Sequence, residues 1–342
     1  MRGVWTVIAA VLLGLAVYTI FFYDAKGGNA SDAPREVTWL LSHQPTDVFA
    51  RAVGVFAQTL ENESGGSLSL RVIYPKDVGV EKGDVPHATV LQLLDAGSVD
   101  VASVYTIPLG NTFEDFRILN LPFLFDSYER TNAVLDDTAL PILDQLDGAI
   151  RGLAFTMSGG FRIIASKDLS IEDIQDFKGK RIVTSGGPVA EATLRALGAT
   201  PVSQELESGS ARDFSSIDGV ETTYARLSAV LGSDTAFTAH INETNHSMFL
   251  TAVVAGGSFF DSLTPLEQRA LISAARAAAK VEREDSMALN ESVKEILRQG
   301  GSTIHELSTT SREAFVAATK SVYQEYSSRF SPDIYEAVVR AR

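Results

Sequence analysis

The chain of 342 residues contains no cysteine. This absence excludes disulfide bonds, cysteine-ligated zinc, iron–sulfur clusters, thiol nucleophiles and a lipid anchor attached through cysteine. Basic residues are also scarce, with 29 Lys and Arg against 43 Asp and Glu and a formal net charge of −14. Because nucleic-acid binding depends on a surplus of positive charge, we expect no nucleic-acid partner. An anionic small ligand would need a locally positive pocket.

Short motifs of exported enzymes are missing as well. The chain has neither the Gly-x-Ser-x-Gly turn of serine hydrolases nor the His-Glu-x-x-His helix of zinc proteases. His240 and His246 could face the same way, but two histidines alone are more often surface or capping residues than a zinc site. We therefore predict a protein that is not an enzyme, with no catalytic residues, cofactor or metal.

The N-terminus carries a long apolar run. Gly3 to Tyr23 is uncharged behind Arg2 and approaches the roughly 20 residues that span a bilayer. Residues 1–24 are therefore predicted to be a signal peptide or a membrane anchor. The length and the aromatic end favour an uncleaved anchor, although both alternatives stay open. Residues 25–36 are predicted to be a flexible tether to a body outside the cytoplasm, in the periplasm.

Strand and helix patterns then alternate along the chain. Val37–Leu41 and Leu68–Tyr74 are typical of strands, and an amphipathic helix is predicted between them. Repeated strand–helix units predict an α/β fold with a mostly parallel sheet covered by helices. The buried strand Val99–Val104 delivers Tyr105 to a strand end, where ligands of such sheets often bind. Tyr105 is predicted either to line a pocket or to be a packed aromatic residue.

The segment Asp176 to Glu221 combines a strand, a glycine turn and a helix. Strand Lys180–Thr184 runs into Ser185-Gly186-Gly187-Pro188, and the following helix stops near Gly198. Such a turn leaves backbone N–H groups at a helix N-terminus free to hold an anion or a polar ligand atom. The same arrangement is also the ordinary joint of any α/β protein.

Six sequence blocks in a fixed order carry a family resemblance. They are Leu121 to Phe125 (LPFLF), Gly160-Phe161-Arg162, Asp176 to Thr184, Ala196 to Pro201, Ile217 to Glu221, and His246-Ser247. In this order the blocks resemble the DctP-type extracytoplasmic receptors of TRAP (tripartite ATP-independent periplasmic) transporters. The resemblance covers the chain from about Ser42 to about Ser328.

The resemblance implies an α/β fold of two lobes, the periplasmic-binding-protein-like clamp with long C-terminal helices, which closes on one small ligand by a hinge motion. The implied parts are lobe I at residues 37–159 and about 248–285, lobe II at 160–247 and about 286–310, and a C-terminal bracing helix and tail at 311–342.

The implied function is capture of a small molecule, such as an organic acid, in the cleft between the lobes and delivery to the TRAP membrane subunits. The alternative is a membrane-tethered sensor that presents its ligand to a membrane signalling partner.

The chain departs from the family pattern at the expected ligand contacts. Val183 stands where the resemblance places an arginine that binds the substrate carboxylate through two hydrogen bonds. Arg181 lies two residues earlier, about 6 to 7 Å along the strand, and is not an automatic substitute. Thr222, after Glu221, replaces an asparagine. We therefore expect that the ligand is not a simple dicarboxylate.

The remaining predicted ligand contacts surround one retained arginine. Arg162 is the best candidate for an anion-binding group, unless it forms a salt bridge with Asp218 or Glu221. The predicted set of ligand-binding residues comprises Arg162, Tyr105, Thr184, Ser185, Gly186, Val183, Thr222, Glu221 and Arg181.

Overall fold

The alternating strand and helix patterns form two β-sheets in the computed structural model, which describes residues 33–43, 46–204, 206, 214–231 and 235–341. The predicted signal or anchor segment, residues 1–24, and residues 25–32 of the predicted tether lie outside these ranges. Within the described part of the chain, no helix is both long enough and apolar enough to cross a membrane.

The first sheet has five strands in the order β2-β1-β3-β10-β4. Strand β1 pairs in parallel with β3, whereas β10 is antiparallel to both of its neighbours, β3 and β4. Every residue of the inner strand β10 is buried, as expected for a strand covered on both faces. The strands are β1 (Arg35–Leu40), β2 (Leu68–Ile73), β3 (Val101–Tyr105), β4 (Ile150–Phe161) and β10 (Met248–Gly256).

The second sheet has six strands in the order β11-β9-β5-β8-β6-β7. Strands β8, β6 and β7 are parallel to one another, and β5 is antiparallel to both β8 and β9. The strands are β5 (Ile163–Ser166), β6 (Arg181–Thr184), β7 (Thr200–Ser203), β8 (Gly219–Thr222), β9 (His240–Glu243) and β11 (Thr303–Glu306).

Apolar residues that alternate along the strands build a separate core on each face of each sheet. In β10, Ala252 and Val254 pack into one core cluster, and Val253 and Ala255 pack into the cluster on the opposite face. The clusters at the second sheet contain none of these residues. Each sheet is therefore the centre of its own layered half of the molecule.

The expected parallel pairing holds for only part of each sheet. In the first sheet β1 pairs in parallel with β3, and in the second β6 pairs in parallel with β7 and β8, whereas β10 and β5 are antiparallel to their neighbours. The chain passes from the first sheet to the second between β4 and β5, and it returns between β9 and β10. The crossing strands β10 and β5 run antiparallel to neighbours that belong to the strand–helix units. Local strand and helix patterns do not encode this long-range pairing.

Helices cover both sheets. The helices are α1 (Ala50–Glu63), α2 (His87–Asp95), α3 (Thr106–Leu109), α4 (Tyr128–Ala133), α5 (Leu140–Leu143), α6 (Gly187–Ala196), α7 (Leu227–Leu231), α8 (Gly257–Asp261), α9 (Pro265–Gln299), α10 (Thr309–Ala318), α11 (Lys320–Tyr326) and α12 (Pro332–Arg340). The C-terminal bracing segment thus consists of three helices rather than one. The first break falls at Thr319, whose hydroxyl donates to the Phe315 carbonyl at 3.0 Å.

Helix α9 is the longest, with 35 residues, and it contacts both halves of the molecule. It begins with Pro265 and a capping box in which Thr264 and Glu267 bond reciprocally. Its first half buries a stripe of alanines against α1 and β4. Its middle buries the polar side chains of Glu282, Arg283 and Asn290.

Candidate functional site

A cavity of about 210 Å³ lies between the two sheets. The side chains from the first half come from the end of β3, from α3 and from the start of β10. They are Tyr105, Ile107, Pro108, Asn111 and Phe249. Tyr105 therefore stands at a strand end and lines this cavity.

The second half contributes the ends of its parallel strands. Because β6 and β7 are parallel neighbours, the residues after them meet at one edge of the sheet. The lining residues from this half are Ser185, Gly187, Ser203, Gln204, Leu206 and Arg226. The described part of the wall from the second half is thus mostly uncharged and polar, with a single arginine.

The glycine turn after β6 allows the two halves to approach each other closely. Gly187 has a φ of +69°, a conformation that L side chains rarely adopt, and a Cβ there would lie 3.2 Å from Ile107 Cγ2 of the first half. A Cβ at Gly186 would lie only 2.3 Å from the Ala190 Cβ. Both positions therefore favour glycine, one for backbone conformation and one for space.

Arg226 is the charged residue of the described cavity lining, and it is only 4% exposed. Its guanidinium lies 4.9 Å from the centre of the Tyr105 ring and 4.8 Å from that of Phe249. Its Nη2 donates to the Leu206 carbonyl at 3.1 Å and pairs with Asp84 at 3.5 Å. Among the described residues, its Nε has no acceptor. The Arg226 guanidinium is therefore held in place from several sides.

Aromatic and acidic residues of the first half fix this arrangement. The Tyr105 hydroxyl donates to Asp84 Oδ2 at 2.8 Å, and the His43 ring stacks on the Tyr105 ring with centroids 4.8 Å apart. Burial lowers the pKa of His43 to about 4, the nearby Asp84 carboxylate opposes this, and the Arg226 charge adds to it. His43 is therefore neutral at physiological pH, and the charges here are those of Asp84 and Arg226.

A second buried polar group surrounds Glu221 behind the glycine turn. Glu221 Oε2 accepts from Arg162 Nη1 at 2.9 Å and from the Thr184 hydroxyl at 2.5 Å, and Oε1 accepts from His246 Nε2 at 2.8 Å. Burial alone would raise the pKa of Glu221, but the Arg162 charge and the bonds from His246 and Thr184 outweigh it and hold that pKa at about 2. Glu221 is thus a carboxylate with three donors.

This group joins the strands that connect the two halves. The Arg162 backbone N–H, at the β4–β5 crossing, donates to the Ser247 carbonyl at the β9–β10 crossing at 2.9 Å. The Thr184 hydroxyl accepts from the Gly186 N–H at 2.9 Å while it donates to Glu221. The hydrogen bonds therefore run from the crossing strands to the glycine turn at the cavity.

Residues 41–329 match the model of the DctP family, described as bacterial extracellular solute-binding protein, family 7. The chain belongs to this family. The predicted membership is confirmed, and the family consists of binding proteins rather than enzymes.

Several known relatives have the same extent as this family-7 chain. The C4-dicarboxylate-binding periplasmic protein DctP of Rhodobacter capsulatus is 27% identical over 312 residues, which cover 84% of each chain. The galactonate complex of the sugar acid binding protein of Advenella mimigardefordensis has a TM-score of 0.75 at 22% identity, covering 90% of this chain and 97% of the other. A TRAP periplasmic solute-binding protein of Shewanella oneidensis with bound succinate has a TM-score of 0.73 at 20% identity, covering 90% and 99%. The predicted two-lobe fold is confirmed.

The predicted site residues of this solute-binding protein fall into two layers. Tyr105 and Ser185 line the cavity. Thr184, Gly186 and Glu221 lie directly behind the turn and are bonded to one another, with Glu221 also bonded to Arg162. For Arg162 the structure has the second of the two predicted arrangements, a salt bridge with Glu221, and its Nη2 has no partner among the described residues.

Three further predicted residues lie elsewhere. Val183 is fully buried in a core cluster of the second sheet and is not among the described residues of the cavity lining. Arg181 is exposed, and its Nε donates to the Ser216 carbonyl at 2.9 Å. Thr222 is buried, and its hydroxyl has no partner among the described residues.

Sequence reasoning missed Arg226. The sequence did contain a sign of a buried arginine, because Arg226 is the single charged residue of the segment from Tyr224 to Val230. A lone arginine among apolar residues is rarely buried without a specific partner. Its partner Asp84 lies 142 positions earlier in the chain, so only the fold brings the two together.

Proposed function

We propose that the protein captures a small organic anion in the cavity between its halves, outside the cytoplasm, and delivers it to the membrane subunits of a TRAP transporter. The observation that carries this proposal is a cavity lined from both sheets around one buried arginine. Similar proteins that carry succinate and galactonate support an organic acid as the ligand. The cavity is smaller than the roughly 300–1,000 Å³ of sites for drug-sized molecules, which favours a small acid.

The two lobes of the proposed clamp are residues 37–159 with about 248–285 and residues 160–247 with about 286–310. The crossing strands between them and the Glu221 group at those crossings support a hinge there. Ligand then binds between Tyr105 and Ser185, and the glycine turn closes over it.

Residues 1–24 are proposed to direct export, as a cleaved signal peptide or as a retained anchor. The apolar run from Gly3 to Tyr23 supports both. Intact-mass measurement of the protein from its native membrane and periplasmic fractions distinguishes them. A full-length mass in the membrane fraction supports the anchor, and a mass shortened at the N-terminus supports cleavage.

The ligand is identified by native mass spectrometry of the full-length protein purified without added ligand. We expect a bound small organic acid, because a closed receptor of good affinity retains its ligand. The variant Ser203→Phe, which fills the cavity, should purify without it. The matched variant Ser321→Phe, at an exposed position of α11, should retain it.

A neutral or cationic compound in the cavity, or retention of the compound by Ser203→Phe, would contradict the proposal. Delivery is tested by uptake of the identified compound. A strain without this gene should lose high-affinity uptake and regain it with the wild-type gene.

A further inference from the structure

Arg226 is the one charged side chain among the described residues that line the cavity. The other polar lining groups are the uncharged side chains of Asn111, Ser185, Ser203 and Gln204 and the hydroxyl of Tyr105. A carboxylate that enters this space therefore meets one guanidinium, while the rest of the ligand meets hydroxyls, amides and apolar surface.

The other arginines near the glycine turn are not among the described residues of the cavity lining. Arg162 pairs with the buried carboxylate of Glu221 at 2.9 Å, and its guanidinium lies over the Phe249 ring at 4.8 Å. Arg181 is exposed and donates to the Ser216 carbonyl. Position 183 offers a buried valine.

Arg226 is also prepared for a ligand by its neighbours. The Tyr105 and Phe249 rings lie against the guanidinium, and Asp84 and the Leu206 carbonyl occupy one terminal nitrogen. The buried Nε keeps an N–H without an acceptor among the described residues. A buried donor without an acceptor is unfavourable, so a ligand oxygen that accepts from it gains affinity.

We propose that Arg226 is the carboxylate anchor of this receptor and that its ligands are small monocarboxylates with an uncharged, hydrogen-bonding remainder. This inference rests on the proposed function. A dicarboxylate is disfavoured because its second carboxylate would be buried without a positive partner among the described lining residues. The resemblance places the carboxylate-binding arginine at position 183, in strand β6. The proposed anchor Arg226 lies instead in the segment that follows β8.

The test is calorimetric titration of the full-length protein with an acid panel: lactate, gluconate and pantoate as monocarboxylates, succinate and malate as dicarboxylates, and lactamide as the uncharged counterpart of lactate. We expect at least one monocarboxylate to bind more tightly than both dicarboxylates and lactamide not to bind. Arg226→Met should lower the affinity for that monocarboxylate about 10- to 100-fold, the loss expected when hydrogen bonds to a charged group are removed. Arg226→Lys should recover only part of the affinity, because lysine lacks the planar fork.

Two further variants keep the result interpretable. Arg195→Met removes an exposed arginine of the same half, on α6, and should bind like the wild type. In Arg226→Met alone, the buried Asp84 carboxylate loses its positive partner. The double variant Asp84→Asn with Arg226→Met removes that charge as well, so it should fold and still bind the monocarboxylate weakly.

The outcomes separate the two proposals. If a monocarboxylate binds and Arg226→Met or the double variant binds it as tightly as Arg195→Met, the anchor is wrong and the proposed function stands. Preference for succinate or malate overturns the monocarboxylate class. If the wild type binds no acid of the panel and carries no acid when purified, both the anchor and the proposed function are wrong.

Discussion

Replacement of Glu221 by glutamine tests whether the buried group at the crossing strands depends on charge. Glu221 is 0% exposed and Arg162 is 2% exposed at the side chain, and their ion pair is 2.9 Å long. Glutamine keeps the shape of the side chain but leaves the Arg162 guanidinium buried without a counter-charge. Loss of one partner of a buried pair costs about 3–5 kcal/mol. With a urea m-value of about 3 kcal/mol per molar, the unfolding midpoint should fall by about 1 to 1.7 M.

The assay is urea unfolding followed by far-UV circular dichroism, with Arg162→Met and the double variant completing the cycle. Arg162→Met leaves Glu221 with its donors His246 and Thr184, so it should cost less than Glu221→Gln. The double variant removes both charges and should be more stable than the sum of the two single losses by about 1–3 kcal/mol.

An exposed ion pair serves as the control for this cycle. Glu295→Gln breaks the Arg298–Glu295 pair, whose side chains are each 52% exposed, and should leave the midpoint unchanged. The reasoning is refuted if Glu221→Gln shifts the midpoint no more than Glu295→Gln, or if the two single losses are additive in the double variant.

Three other predictions concern separate parts of the molecule. His43 is neutral in the folded state down to pH about 4 but takes up a proton near pH 6.5 when unfolded, so the free energy of unfolding should fall by up to about 3 kcal/mol as pH drops from 6.5 to 4. In urea titrations over this pH range, His43→Phe should lose most of this pH dependence. An unchanged pH dependence in the variant would contradict the prediction. Gly187→Ala should lower the free energy of unfolding by about 1–2 kcal/mol, because the backbone at this position is left-handed, and it should also weaken ligand binding. Gly65→Ala, at a φ of +66° in open surroundings, should lose a similar amount of stability in urea titrations but bind ligand like the wild type in calorimetric titrations. Thr264→Ala removes the capping box of α9 and should lower the free energy of unfolding by about 1 kcal/mol, while Thr264→Ser should be close to wild type.

The sequence predicted much of the fold because its local patterns are strong. Strand β2 starts at the predicted Leu68, and β1 starts two residues before the predicted Val37. The start of α9 carries the sequence signal of a proline directly after a capping threonine. The mixed sheets were not predicted. The antiparallel pairing of β10 with β3 and β4 joins residues about 90 to 150 positions apart, which no local pattern specifies.

For a similar reason, only part of the lining of the candidate cavity could be predicted from the sequence. Tyr105 and Ser185 could be found because both follow buried strands, where ligands of α/β sheets tend to bind. Val183 was interpreted through the position of a family arginine, but its side chain packs into a core cluster. Arg226 required knowledge of which distant residues surround it, since its contacts come from Asp84, Tyr105 and Phe249.

The middle of helix α9 has a consequence for how the two halves can separate. There Asn290 is hydrogen-bonded to both halves: its Nδ2 donates to the Gly159 carbonyl at 2.6 Å, and its Oδ1 accepts from the Ala225 N–H at 3.1 Å. Water can replace such bonds at little net cost, whereas exposure of the alanine stripe on the first half of the helix loses apolar burial. We therefore expect rotation of the second half about the middle of α9 to cost less free energy than detachment of the first half of this helix.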